Sequence, residues 1–270
     1  MSISTLDQVW SDQLKKTLEH GVGVAPRGER TLELLHQTIE VGMRHPVLTI
    51  PQRKLSYKFM AAEAYWILSG DDRVATITPY NAAIGNFSDN GETFYGAYGP
   101  RIADQLSYVV EKLRSDPSTR QATLTTWRPN PPTTKDVPCT VAITFTIRSS
   151  VCNVHVYMRS SDLWLGLPYD VFNFAMLGHL VIAMLGTPDL VPGTLYLTAA
   201  SSHIYERNIE GAEEVLSAFE ESKSAKGGRW VYGTEPQMWQ NATHLMELLA
   251  ALRVAEPRSR LRWWEDRETH

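Results

Sequence analysis

The spacing of hydrophobic residues along this chain changes character twice. Early on, Phe59–Leu68 (FMAAEAYWIL) has helical spacing, and Gly70 follows as a suitable stop. Ala103–Arg114 predicts an amphipathic helix ended by Asp116-Pro117. Thr31–Val41 (TLELLHQTIEV) has helical or mixed character, behind a loop-like stretch from Gly21 to Arg30. Tyr80–Gly99, rich in Asn, Gly and Tyr, predicts an irregular segment. Then the period drops to two. Ala122–Trp127 is β-rich, and Val141–Ile147 and Cys152–Tyr157 alternate as two strands joined by a turn at Arg148-Ser149-Ser150.

Next comes the most apolar stretch, LGLPYDVFNFAMLGHLVIAMLG. Val171–Leu185 reads as a buried core helix: it is short for a membrane span and contains Asn173, Gly178 and His179. The one carboxylate at its mouth, Asp170, fits a helix N-cap, which does not exclude a second role. Leu195–Thr198 reads as a short strand, and Gly211–Phe219 and Thr243–Arg253 as helices. Strands and helices mixed without a regular βαβ rhythm predict an α+β fold around one sheet.

The chain has 270 residues, 43% hydrophobic and 21% charged, which is ordinary for a soluble globular protein. Its net charge of −4 offers no basic surplus for nucleic acid or an anionic membrane. The start, MSISTLDQVW, has no signal-peptide pattern, so a cytoplasmic protein is expected. The two cysteines, Cys139 and Cys152, make neither a disulfide framework nor a zinc spacing, and no metal is expected.

Cys139 stands in DVPCT just before a strand. A free Cys is most often a small buried hydrophobe. Alternatively it is a thiolate nucleophile, which needs positive charge or a base nearby. A hairpin of the two alternating strands brings Cys139 and Arg159 to one end of the sheet.

The series PCT, YMRSSDLWLGLPYD and LVPGTLYLTAASSHIY, in this order and spacing, resembles the thymidylate synthase superfamily. Glu63 in AAEAYWILSG, Tyr98 in FYGAYG and Arg120 in STRQATLTTW extend the likeness to roughly residues 20–215. The resemblance implies one thymidylate-synthase-like domain over residues 1–270, with a mixed twisted sheet packed by helices and a sheet face forming a homodimer interface. It implies that Cys139 attacks C6 of a pyrimidine nucleoside monophosphate. Arg159 and Ser160 would hold the 5′-phosphate, Arg159 also favouring the thiolate, with Arg27 or Arg30 as a loop ligand. Arg120 would reach the partner subunit's phosphate. Guanidinium forks match phosphate oxygens. Glu63 would organise water and relay protons, and Tyr98 would assist proton movement at C5. His203 and Tyr205 would bond the sugar hydroxyl. Asp162 would contact the pterin of 5,10-methylenetetrahydrofolate, the cosubstrate.

Departures from the pattern point to the reaction. Asp170 stands where thymidylate synthases carry Asn, whose amide complements O4 and N3–H of uracil. A carboxylate accepts from N4–H₂ of cytosine, and from N3 when N3 is protonated, but repels O4 of uracil. A site built so rejects the wrong base by leaving buried polar groups unpaired. Asp170 thus resembles the cytidylate 5-hydroxymethyltransferase branch. Thr140 replaces the His that commonly follows the catalytic Cys, and Gln121 replaces a usual second arginine. The ending LRWWEDRETH lacks the apolar Pro-x-Ala-Val/Ile lid, so a methylene intermediate would be open to hydration rather than reduction. The expected product is 5-hydroxymethylcytidylate. Arg-, Ala- and Trp-rich ends suggest a high-GC bacterial gene and lean toward CMP, in a pathway such as antibiotic biosynthesis, over dCMP. The alternatives are a methylase or hydroxymethylase acting on a uridylate, and a non-catalytic nucleotide- or RNA-binding relative.

Overall fold

A computed structural model describes residues 5–225. Helix α1 (Leu6–His20) leads into strands β1 (Val22–Val24) and β2 (Thr31–Gly42). Helices α2 (Tyr57–Leu68), α3 (Val74–Ile77) and α4 (Tyr98–Ser115) follow, then β3 (Thr123–Thr125), β4 (Thr140–Arg148) and β5 (Val151–Asp162). Helix α5 (Leu167–Leu185), β6 (Val191–Tyr205) and α6 (Ile209–Ala225) complete the described chain.

The six strands form one mixed sheet in the order β1-β2-β6-β5-β4-β3. Only β5 and β6 run parallel. Parallel neighbours need a long crossover, and α5 supplies it. The α+β expectation of one mixed sheet with helices packed on it holds. The predicted β4–β5 hairpin is present, and Ser149 and Ser150 turn it with φ of 50° and 59°. Left-handed φ at both central residues matches the twist of a two-residue hairpin.

Several expectations need correction. Thr31–Val41 is strand β2, not helix. Its neighbour β6 pairs with it from Thr31–Tyr205 to Gly42–Thr194. His36, at φ 51°, interrupts the ladder between Leu35–Ser201 and Gln37–Ala199 and breaks the alternation by which a strand is recognised. The loop-like Gly21–Arg30 contains β1. Helix α4 starts at Tyr98, inside the segment read as irregular, and β5 and β6 run on through Asp162 and Tyr205. Predicted helix Thr243–Arg253 and the C-terminal tail lie outside the described residues.

Helix α2 is capped by Ser56, whose hydroxyl accepts from Phe59 N–H, and Gly70 (φ 71°) follows its end as expected. By length and composition α5 alone among the described helices is apolar enough to cross a membrane, yet 78% of its apolar window is buried inside the fold. It lies over β5 and β6. The first turn arrives at the end of the sheet where Cys139 and Arg159 meet, because Arg159 N–H donates to the Cys139 carbonyl at 2.8 Å. Asp170 is not the N-cap: the helix begins at Leu167, with Gly166 at the cap and no side-chain capping bond. Pro168 explains the earlier start, since its fixed φ suits a first turn. Cys152 is a fully buried core residue, its thiol pushed up to about 12 by burial.

Gly178 sets the distance between α5 and the sheet. A Cβ there would lie 2.7 Å from Met43 Sδ and 2.8 Å from Val154 Cγ2. Methionine yields easily, but a β-branched valine in a strand does not. Gly178→Ala gains about 1 kcal/mol of helix propensity. Overpacking costs about 1–3 kcal/mol and is expected to prevail. Urea denaturation should therefore give a lower midpoint for Gly178→Ala than for the parent; an equal or higher midpoint would refute the close approach.

Candidate active site

The cleft at this end of the sheet collects side chains from five elements. Cys139, half-buried, precedes β4. Ser160, on β5, donates its hydroxyl to Cys139 Sγ at 3.7 Å. Arg159 is pinned by backbone carbonyls: Nε donates to Pro138 at 2.9 Å and Nη2 to Val137 at 2.8 Å, while Nη1 donates to Ser160 Oγ at 3.2 Å. A guanidinium has five N–H donors, so two remain for an anion. The positive charge of Arg159 and the Ser160 hydrogen bond favour the thiolate. Burial outweighs them, and the charges of Asp170 and Asp136 add to it, so the Cys139 thiol is raised above its ordinary range. Cys139 therefore rests as a thiol.

Tyr98 opens α4 beneath Cys139. Its hydroxyl oxygen accepts from Thr140 N–H at 3.2 Å and Thr140 Oγ at 3.0 Å. Both acceptor positions are thus used, and the phenol proton is free to point into the cleft. Burial, reinforced by the charges of Asp170 and Cys139, raises the phenol strongly, so it stays protonated. Thr140, singled out only as a departure, is the residue that holds Tyr98.

Glu63, on α2, accepts from Asn173 Nδ2 at 2.8 Å. Burial pushes its carboxyl up to about 7 against that hydrogen bond. Asp170, in the first turn of α5, has no hydrogen-bond partner for its carboxyl among the described residues. Burial raises it well above the usual carboxylate range, and the charges of Glu63 and Asp162 push the same way. Asp162 ends β5 opposite His203 of β6. Its Oδ1 accepts from Trp164 N–H at 2.8 Å and Leu165 N–H at 2.9 Å. Burial raises Asp162 and lowers His203, driving this pair toward its neutral forms. Tyr205 lies edge-on to His203, with ring centroids 5.4 Å apart.

The loop arginines separate. Arg30 pairs with Glu206 at 3.4 Å. Arg27 has no ion pair among the described residues, and its charge reaches His203. Arg120 is the one predicted residue the fold does not bring to the cleft. It precedes β3, where Thr123 faces Thr144, so it lies toward the Ile147 end of β4. At about 3.3 Å per residue, Cys139 is roughly 25 Å away. Sequence reading passed over Asn173 as a site residue; the available signal was an amide one turn after Asp170 in a helix otherwise apolar.

The residues around Asp162 also suit a flat, polar-edged ring. Trp164 carries Arg53 over its ring, the guanidinium 4.3 Å from the centroid. Aromatic face, carboxyl and guanidinium together fit a reduced folate. Among the described residues no group of three or more His, Cys, Asp or Glu is arranged to hold a metal.

Comparison with known proteins gives the family. A family model described as thymidylate synthase matches residues 8–226. A deoxyuridylate hydroxymethyltransferase of Bacillus phage SP01 is 31% identical over 223 residues. That alignment covers 73% of this chain and 56% of the phage protein, so the chain spans little more than half of that relative's length.

Asp170 carries a stability signature. Its folded pKa is raised above the unfolded value, so its penalty is absent below the unfolded pKa, about 4. The penalty grows as pH rises from there through the folded pKa. Asp170→Asn removes it. Ligand-free Asp170→Asn should melt a few degrees above the parent at pH 8, at about 2–4 °C per kcal/mol for a domain this size. The two melting curves should converge below about pH 4. A difference independent of pH would refute the raised carboxyl.

Proposed function

The chain belongs to the thymidylate synthase family, and we propose that within it the protein transfers a one-carbon unit from 5,10-methylenetetrahydrofolate to C5 of a cytidylate, yielding the 5-hydroxymethyl nucleotide. One observation carries the choice of base: the partnerless, half-buried carboxyl of Asp170, within electrostatic reach of Cys139 and Tyr98. A cytosine ring brings an N4 donor and an N3 that shares one proton with Asp170. Both hydrogen bonds persist whichever atom holds that proton. With the proton on N3 the ring is a better electrophile at C6. Uracil keeps both bonds only while Asp170 stays protonated.

The remaining residues have roles that follow from their chemistry. Arg159, with two free N–H groups, and Ser160 bind the 5′-phosphate, with Arg27 closing over it. His203 and Tyr205 bond the sugar hydroxyl. Cys139 loses its proton as the nucleotide docks and adds to C6, which makes C5 nucleophilic. The folate supplies the carbon at the formaldehyde oxidation level. Tyr98, with its proton directed inward, and Glu63, poised near neutrality, handle proton movement at C5 and at the exocyclic carbon. Asp162 and Trp164 hold the pterin. Hydration of the exocyclic carbon, followed by expulsion of Cys139, gives the hydroxymethyl product without oxidising the folate.

A uridylate is the second reading, favoured by the likeness to the deoxyuridylate hydroxymethyltransferase of the phage. Raised Asp170 admits it, since a neutral carboxyl donates to O4 and accepts from N3–H as an amide does. The two readings differ in pH dependence and in the Asp170→Asn variant. Incubation with methylenetetrahydrofolate and each of CMP, dCMP and dUMP should give product from a cytidylate only. Asp170→Asn should lose cytidylate turnover by about 10⁴–10⁵-fold, as for a mismatch at a site built to hydrogen-bond its ligand. It should gain tritium release from C5 of the uridylate. Turnover of dUMP by the parent, falling as pH rises and Asp170 ionises, with cytidylates inert, would overturn the cytidylate reading.

Arg120 belongs in this proposal as a residue supplied across a homodimer. The sheet face away from α5 carries Thr38, His155, Tyr157, Tyr196 and Thr198, with Tyr157 47% exposed. Cys139→Ala and Arg120→Ala should each be nearly inactive alone. Mixed after unfolding and refolding together, they should recover about a quarter of parental activity, because half the dimers are hybrid and one of their two sites is intact. No recovery in a hybrid dimer would place Arg120 outside the site.

A further inference from the structure

Asn173 lies one turn beyond Asp170 on α5 and is 3% exposed. Its Nδ2 donates to Glu63 Oε2 at 2.8 Å, while its Oδ1 is enclosed and accepts from nothing. An enclosed acceptor left unpaired costs about 1–3 kcal/mol. A leucine would avoid that cost in a helix whose buried neighbours are Phe172, Phe174, Ala175 and Met176. The amide therefore needs a reason that includes its oxygen.

Glu63 supplies one. Its carboxyl titrates near neutrality, so both forms occur in the working protein. The ionised form only accepts and needs a donor; the protonated form also carries an O–H and needs an acceptor. An amide has one of each at the same distance from its Cβ, and turning it by half a rotation exchanges them with little change in shape. The other groups around the pair do not serve. Among the elements packed against α2, α3 offers no ionisable side chain, α4 brings Tyr98, whose oxygen already accepts twice from Thr140 and so offers a protonated acid no acceptor, and α5 brings Asp170. Asp170 makes no hydrogen bond to Glu63; the two carboxyls meet by charge alone, which favours the protonated form of Asp170.

We propose that Asn173 is a positioning residue whose amide reverses with the charge of Glu63, presenting Nδ2–H to the carboxylate and Oδ1 to the protonated acid. Glu63 then keeps one position through a proton-transfer cycle instead of moving each time it gains or loses its proton. The inference rests on Glu63 being a proton-relaying group of the site, as proposed above. It does not depend on which base the enzyme accepts.

Infrared titration of the ligand-free protein tests it. The Glu63 carboxyl band is the one lost in Glu63→Gln. In the parent, the protonated band should sit at the frequency of a hydrogen-bonded acid. In Asn173→Leu it should shift up to that of an unbonded acid, and the midpoint should rise by about one pH unit as the carboxylate loses its donor. Asn173→Asp keeps the shape and guards against a folding defect in the leucine variant. Its midpoint should rise as well, because two carboxylates then meet, while its protonated band should stay at the bonded frequency. A leucine variant whose midpoint rises while its protonated band stays put would make Asn173 a donor only and overturn the reversal. Midpoints unmoved in both variants would overturn any positioning role. Because no substrate is present, a failed cytidylate assignment leaves this result intact.

Discussion

Helix α5 has to bury almost its entire surface, and the parallel pair β5–β6 is where it can do so. The rest of the site follows from that. A crossover between parallel strands must begin where the first strand ends, so the first turn of α5 is delivered to the carboxyl ends of β5 and β6. Cys139, Arg159, Asp162, His203 and Tyr205 are all at that end, from three neighbouring strands or their edges. Ligand sites commonly lie outside the carboxyl ends of parallel strands. Gly178, two turns on, lets the helix settle close enough for Asp170 to reach the same cleft.

The burial that holds α5 also determines the protonation of the site. Glu63, Asp170, Asp162, Tyr98, Cys139 and His203 are each displaced toward their neutral forms, and in every case desolvation is the largest cause. The cations stand at the rim, where water still reaches them. Arg159 is held by carbonyls of the segment leading to Cys139, and Arg27 sits in an exposed loop. A neutral interior suits an uncharged base and a cationic rim suits a phosphate. The division follows mainly from depth, and the neighbouring carboxyl charges reinforce it.

Much of this was legible in the sequence. The hairpin of Val141–Ile147 and Cys152–Tyr157 and its placement of Cys139 beside Arg159 followed from period-two alternation and a three-residue turn. Helices α2 and α4 followed from their apolar spacing. What failed, failed for local reasons. Strand β2 contains the adjacent leucines Leu34 and Leu35 and a left-handed His36, so its alternation breaks where the eye needs it. Asp170 looked like an N-cap because Pro168 hides a helix start that no side chain caps. Asn173 and Thr140 were invisible as partners because each acts on a residue far away in sequence, Glu63 and Tyr98. Only the packing of α5 on α2 and of α4 on β4 reveals those pairs.

The exchange of amide for carboxyl at position 170 is best understood through the mobile proton. An amide in an enclosed site fixes its donor and acceptor by orientation, and selects a base whose own pattern is equally fixed. A carboxyl fixes only geometry; its donor is a proton that can be shared with the ligand. Burial and the nearby charges of Glu63 and Asp162 hold that proton on the carboxyl well above the usual carboxylate range. A base with a basic ring nitrogen can draw the proton toward itself and become more electrophilic as it does. A base whose ring nitrogen already carries hydrogen cannot. The same desolvation that makes an ionised Asp170 costly to the ligand-free protein keeps its carboxyl a proton donor, and on the cytidylate reading that proton lies in the hydrogen bond to N3.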